Sequence, residues 1–209
     1  IVTGKINYIE TAEDITYIHL NGSSITVDGT NAVADGSKVT ISASGTYYID
    51  GSLTDGQIVV SVADETVDTG TVKIFLNGVN ITGTSQPAIY IENAENTSLN
   101  LVSGKTNVIN GGTAAYAGDY LECAVIHAKD DMTIKGSGTL EVNAPVQYAI
   151  HCNNDIKFNG GTVNIITETE DAVRGKSSVT VKDGILNIEA EGDGIKSSKG
   201  DVAIEGGTV

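Results

Sequence analysis

The chain has 209 residues, a formal net charge of -15, 25 glycines, two prolines and no tryptophan. Such acidity repels a phosphate backbone or an anionic membrane surface, so nucleic acid is not an expected partner. No run of about 18 apolar residues is present, so no membrane insertion is expected either. Abundant Val, Ile, Thr and Gly favour short strands and turns over helices, and the length suits one domain; a single all-β domain over 1–209 is predicted.

In chain order, residues 1–24 do not fit the later periodicity and are expected to form an N-terminal cap, because stacked strands leave an unpaired edge that needs covering. VTISASGT, Val39 to Thr46, matches MTIKGSGT, Met132 to Thr139, and places a copy of the same element far upstream. VKIFLNGVNITG, Val72 to Gly83, and SLNLVSGKTNVIN, Ser98 to Asn110, read as further coils with longer turns. The largest insertion is GGTAAYAGDYLE, Gly111 to Glu122. Its Tyr116 and Tyr120 are candidates for lining a ligand surface, the alternative being a solvated excursion.

From there the chain becomes periodic. Gly138-Thr139-Leu140, Gly161-Thr162-Val163, Gly184-Ile185-Leu186 and Gly207-Thr208-Val209 start at 138, 161, 184 and 207, a spacing of 23. An alternating strand precedes each glycine (Met132-Thr133-Ile134, Ile156-Lys157-Phe158, Val179-Thr180-Val181) and another follows it (Leu140-Glu141-Val142, Val163-Asn164-Ile165, Leu186-Asn187-Ile188). A short third strand is centred on Ile150, Val173 and Ile195. Three strands per period without helical pattern predict a parallel β-helix, a solenoid in which aliphatic side chains stack inward as ladders. Val209 falls in mid-coil, so either a truncated end or a covering segment is expected. Cys123 and Cys152 lack metal-ligand spacing and are expected to be buried thiols.

Aligning the short strand puts His127, His151, Arg174 and Lys196 directly after the inward Ile126, Ile150, Val173 and Ile195, hence on the outer face. Two positions before the aliphatic stand Tyr148, Asp171 and Asp193, and Glu168, Glu170, Glu189 and Glu191 crowd the same corner. Carboxylates that close must raise one another's pKa or share a cation, and calcium takes oxygen ligands in flexible geometry. Asp171 and Asp193 are therefore predicted to bind calcium, with Glu168, Glu170 and Glu191 as auxiliaries; the alternative is a polar turn offset by Arg174 and Lys196. Asp130, Asp131, Asn153, Asn154 and Asp155 form a second candidate calcium cluster, although turn aspartates commonly cap backbone N–H groups. The two histidines read either as ligand contacts or as space-filling partners of each other, and no third zinc ligand accompanies them.

The coils IHAKDDMTIKGSGTLEVN, IHCNNDIKFNGGTVNI, AVRGKSSVTVKDGILNI and DGIKSSKGDVAIEGGTV resemble the bacterial carbohydrate-binding β-helix domains that are similar in fold to family 9 polysaccharide lyases. The resemblance implies a right-handed single-stranded β-helix, bound calcium, secretion or display at the bacterial surface, and affinity for pectic polygalacturonate or cellulose. It yields a leading expectation of a non-catalytic, calcium-dependent polysaccharide binder using His127, His151, Arg174, Lys196, Tyr148, Tyr116 and Tyr120. One alternative is an active lyase in which Lys196 or Arg174 abstracts a proton. The other is a structural surface spacer or adhesin. Oligomeric state has no signature in the sequence.

Overall fold

A computed structural model describes residues 14–209. In chain order the strands are β1 (Ile15–Gly22), β2 (Ile25–Asp28), β3 (Ala32–Asp35), β4 (Lys38–Ile41), β5 (Gly45–Leu53) and β6 (Gln57–Ser61). Then come β7 (Thr71–Gly83), β8 (Ile89–Asn93), β9 (Asn96–Leu101), β10 (Thr106–Gly111), β11 (Ile126–Ala128) and β12 (Met132–Ala144). The last are β13 (Ile150–Cys152), β14 (Asp155–Thr167), β15 (Val173–Gly175), β16 (Ser178–Ala190), β17 (Ile195–Ser197) and β18 (Val202–Ile204).

The fold is all-β, built from two mainly parallel sheets between which the chain alternates in solenoid fashion. The larger sheet runs β18-β16-β14-β12-β10-β7-β5-β1-β2, with β9 also joining β7 to β12; the smaller runs β17-β15-β13-β11-β8-β6-β4-β3. Inward side chains stack rung on rung, as Ile58, Ile89, Ile126, Ile150, Val173 and Ile195 do along the smaller sheet. Such ladders form one core extending from Ile18 to Leu186. Each buried aliphatic contributes roughly 1.5–3 kcal/mol over its exposed state, enough to fix which face turns inward.

Three sequence expectations change in detail. The strands before and after each repeat glycine are one continuous bent strand of 13 residues, seen in β12, β14 and β16. The bend keeps the ladder paired, and its glycines stack: Gly184 has φ 99°, and a Cβ there would lie 2.6 Å from the Gly161 carbonyl oxygen. Close approach therefore explains the recurring glycine, joined at Gly161, Gly184 and Gly207 by a left-handed backbone. Second, Val39-Thr40-Ile41 lies in the smaller sheet, paired to Ile58-Val59-Val60, whereas Met132-Thr133-Ile134 lies in the larger. A strand with apolar residues two apart reads alike in either sheet, so the local match misplaces the element. Third, of residues 1–24, those before 14 lie outside the described residues, while β1 is a regular rung parallel to β5. Antiparallel strands β2 and β3 pair with β1 and β4 at this end of the two sheets.

Polar ladders accompany the apolar ones. Asn110 donates to Asn80 at 3.3 Å, Asn143 to Asn110 at 2.9 Å and Asn187 to Asn164 at 2.8 Å. These rung-to-rung amide bonds satisfy each Asn on the outer surface and hold the register. Both cysteines are buried free thiols; burial pushes the Cys152 thiol up to about 12, and its Sγ donates to the carbonyl oxygens of Asp130 and Asp155.

Candidate functional site

Strand alternation turns one column of the smaller sheet outward, and the register makes it longer than sequence alignment indicates: Val59, Tyr90, His127, His151, Arg174 and Lys196 stand on successive rungs. Tyr90 and Val59 escape sequence alignment because 31 and 37 residues separate Ile58, Ile89 and Ile126, against the later period of 23. The irregular spacing hides a regular column.

The 112–125 connection folds over the first half of this column. Tyr116 and Cys123 pack with Val59 and Tyr90 in a small apolar cluster, against which Tyr120 rests. Tyr116 is buried and its hydroxyl donates to Gly83 O; the Tyr120 hydroxyl donates to Gln57 Oε1 and its ring meets Tyr90 edge-on at 5.4 Å. Tyr116 and Tyr120, candidates for lining a ligand surface, thus spend much of their rings on covering apolar partners, while Tyr116 also lines the cavity beside Tyr148. His127 is likewise buried, accepting the Ala124 N–H at Nδ1 and stacked edge-to-face with His151 at 4.9 Å. As placed, its ring packs between Tyr90 and His151. Burial, reinforced by His151, pushes its pKa down to about 3, and burial with Arg174 nearby brings His151 down to about 4. Both shifts favour the neutral rings at pH 7.

Beyond the covering connection the column is open. Arg174 lies with Cζ 5.3 Å from the Tyr148 ring centroid and donates from a guanidinium nitrogen to the Tyr148 hydroxyl at 3.1 Å. Tyr148 also walls a cavity of about 210 Å³ beside the connection, shared with Leu121, Glu122, Val146, Gln147 and Glu170. Glu170 sits there half-buried, and burial together with its charge raises the Tyr148 pKa. Lys196 follows, with Nζ 2.7 Å from Asp193 Oδ2 and 3.6 Å from Asp171 Oδ2.

The repeat predicts calcium between these two aspartates. Asp171 is buried, with Oδ1 accepting the Asp193 N–H at 2.8 Å, and the ammonium of Lys196 occupies the space shared by the remaining oxygens. Glu168, Glu189 and Glu191 are exposed. Among the described residues, no three His, Cys, Asp or Glu side chains come together as a group able to hold a metal ion. As placed, the aspartate pair meets the ammonium of Lys196, which offsets one of its two charges.

The second cluster is spent on turns. Asp130 accepts the Ala94 N–H, Asp131 the Asp155 N–H, Asp155 the Ser178 hydroxyl and Asn154 the Ser177 hydroxyl. Asn153 donates its backbone N–H to Ala128 O. One oxygen of each of these four side chains is thus engaged in capping a turn or bridging two rungs.

Proton abstraction fits no better. A general base needs a pKa brought down toward working pH, but the hydrogen bond to Asp193 and the charge of Asp171 raise that of Lys196. Arg174 is held as a hydrogen-bond donor against Tyr148. What the face can do is donate hydrogen bonds and positive charge from Arg174 and Lys196, beside an aromatic ring and a small cavity.

Fold and site together define a solenoid whose outer column is covered in one half and open for binding in the other. Residues 35–209 match the model of a family described as carbohydrate-binding domain-containing protein, and the chain belongs to that family. A carbohydrate-binding domain-containing protein of Acetivibrio thermocellus is 37% identical over 131 residues, which is 61% of this chain and 44% of that protein. The chain thus spans less than half the length of this curated relative. Among solved structures, the polysaccharide lyase-like protein from C. thermocellum, a gadolinium derivative, superposes with a TM-score of 0.85 at 33% identity, over 92% of this chain and 79% of that one. Membership is consistent with a binding domain. No helix among the described residues is long and apolar enough to cross a membrane.

Proposed function

We propose that the chain binds acidic plant cell-wall polysaccharide, of the pectic polygalacturonate type, along the open half of the smaller sheet's outer face. The observation that carries this reading is the pairing of Arg174 and Lys196 on successive rungs beside Tyr148. In a chain of net charge -15 they put a guanidinium and an ammonium, the latter shared with Asp171 and Asp193, on neighbouring rungs about 4.8 Å apart, so that one polymer strand can engage both. A guanidinium grips a carboxylate with two hydrogen bonds, which a neutral glucan cannot match. The solenoid in this reading is a right-handed single-stranded β-helix with the fold of family 9 lyases, and the protein acts outside the bacterial cell or on its surface. The polysaccharide lyase-like neighbour and the carbohydrate-binding family support that reading.

A calcium-dependent mode is the second reading, favoured by the buried carboxylate of Asp171 beside Asp193. Because Lys196 occupies the same oxygens, an ion there must compete with its ammonium. Affinity electrophoresis in polygalacturonate gels, with and without chelator, separates the two. Retardation that survives chelation and is lost in the Arg174→Ala, Lys196→Ala double variant supports the lysine-based reading. Retardation abolished by chelation transfers the role to calcium, and retardation by a soluble cellulose derivative alone overturns the preference for acidic polymer.

A further inference from the structure

The larger sheet carries a second aromatic column that the site above does not use. Tyr17, Tyr48 and Phe75 stand on successive outer rungs, with Tyr17 and Tyr48 at 6.0 Å between centroids and Tyr48 and Phe75 stacked at 4.5 Å and 4°. The stack stops at the next rung, where Asn100 lies almost wholly buried, its amide donating to Ile74 O at 3.2 Å and Ser98 O at 3.0 Å. One rung further stands Lys135. Over the lowered Asn100 a depression of about 350 Å³ remains, bounded by Phe75 and Lys135 and flanked by Val102, Ser103 and Ser137.

From Phe75 to Lys135 is two rungs, about 10 Å, which accommodates one ring stacked at van der Waals distance from the aromatic. The neighbouring outer row runs Lys73, Ser98, Thr133, Lys157. These two rows between Phe75 and Asn159 carry three lysines and no carboxylate, in a chain with 27 acidic residues. Apolar ring, hydroxyls and local positive charge together suit a pyranose whose C–H face is apolar, whose edge is hydroxylated and whose substituent is anionic.

We infer that this depression is a second carbohydrate subsite, taking a hexuronate ring as the next layer of the aromatic stack with its carboxylate toward Lys135. It rests on the reading of the chain as a polysaccharide binder, but lies on the other sheet and engages none of the same residues. A long polymer, or two polymers, could then be held on both faces, making the protein a cross-linking binder.

The test uses the two phenylalanines of the chain, Phe75 and the buried Phe158. With fluorophenylalanine incorporated, titration with a galacturonate oligomer should move the Phe75 fluorine resonance and leave that of Phe158 in place. Lys135→Glu, a change at a surface side chain, should weaken this response by about tenfold or more, and the Arg174→Ala, Lys196→Ala variant should retain it. A stationary Phe75 signal while the Arg174 face still binds overturns the second subsite and leaves the proposed function standing. Stationary signals at both faces overturn both. An equal Phe75 response to a cello-oligomer, unaffected by Lys135→Glu, overturns the assignment to a uronate.

Discussion

One outer column of the smaller sheet has two fates. At Val59, Tyr90 and His127 the 112–125 connection folds over it and turns its side chains into a small core; at Arg174 and Lys196 the side chains stay partly exposed. The same strand geometry thus produces packing in one half and a binding surface in the other. The difference is set by what the insertion carries: Tyr116, Tyr120 and Cys123 cover apolar partners, and the covering stops where the column becomes charged. His151 lies at the boundary, with a buried Nδ1 lacking a protein partner.

Removing the cover is the most severe way to break this contrast. Tyr116→Ala should cost about 3 kcal/mol, as for large aromatic deletions in cores, and should let His127 titrate nearer its ordinary range. Chemical denaturation and histidine ring resonances measure the two effects. Acid acts next. The folded pKa of His127, about 3, lies below that of the unfolded chain, so the unfolded state takes up the proton first and stability falls as pH drops through about 6.5, levelling off below about 3. Between pH 7 and pH 5 the loss is about 2 kcal/mol from His127 and nearly as much from His151, whose folded pKa of about 4 also lies below this window. His127→Gln should reduce this pH dependence by about half; an unchanged slope in thermal melts would contradict the burial of the ring.

On the open half the effects should appear in binding and not in folding. Arg174→Ala should weaken polygalacturonate binding about tenfold with an unchanged melting temperature. Arg174→Lys should restore it only in part, since a single ammonium lacks the planar fork that lies over Tyr148. The smallest effect is expected from Lys196→Ala, because Asp193 and Asp171 already share its charge.

The repeat made much of this legible. A 23-residue glycine spacing and inward Ile, Val and Leu pointed to stacked parallel strands, and the column His127, His151, Arg174, Lys196 was found by alignment alone. Two physical features were hidden. Tyr90 joins the column only through hydrogen-bonded register, which variable turn length conceals. The covering of Tyr116 and His127 depends on where a connection of irregular sequence lands, and no periodicity encodes that. The aspartate pair shows the same limit: spacing brought Asp171 and Asp193 together, but not the side-chain direction that sends Lys196 between them. Asn100, polar in sequence, likewise gives no sign that it forms the floor of a gap.

Arg174 is the sole arginine of the chain, so its Nε–H gives one unambiguous side-chain resonance. A galacturonate oligomer titrated against labelled protein should shift and sharpen that signal while the backbone amides of Tyr90 and His127, under their cover, remain in place. Saturable binding with the Arg174 signal unmoved would contradict the assignment of the open half as the binding face.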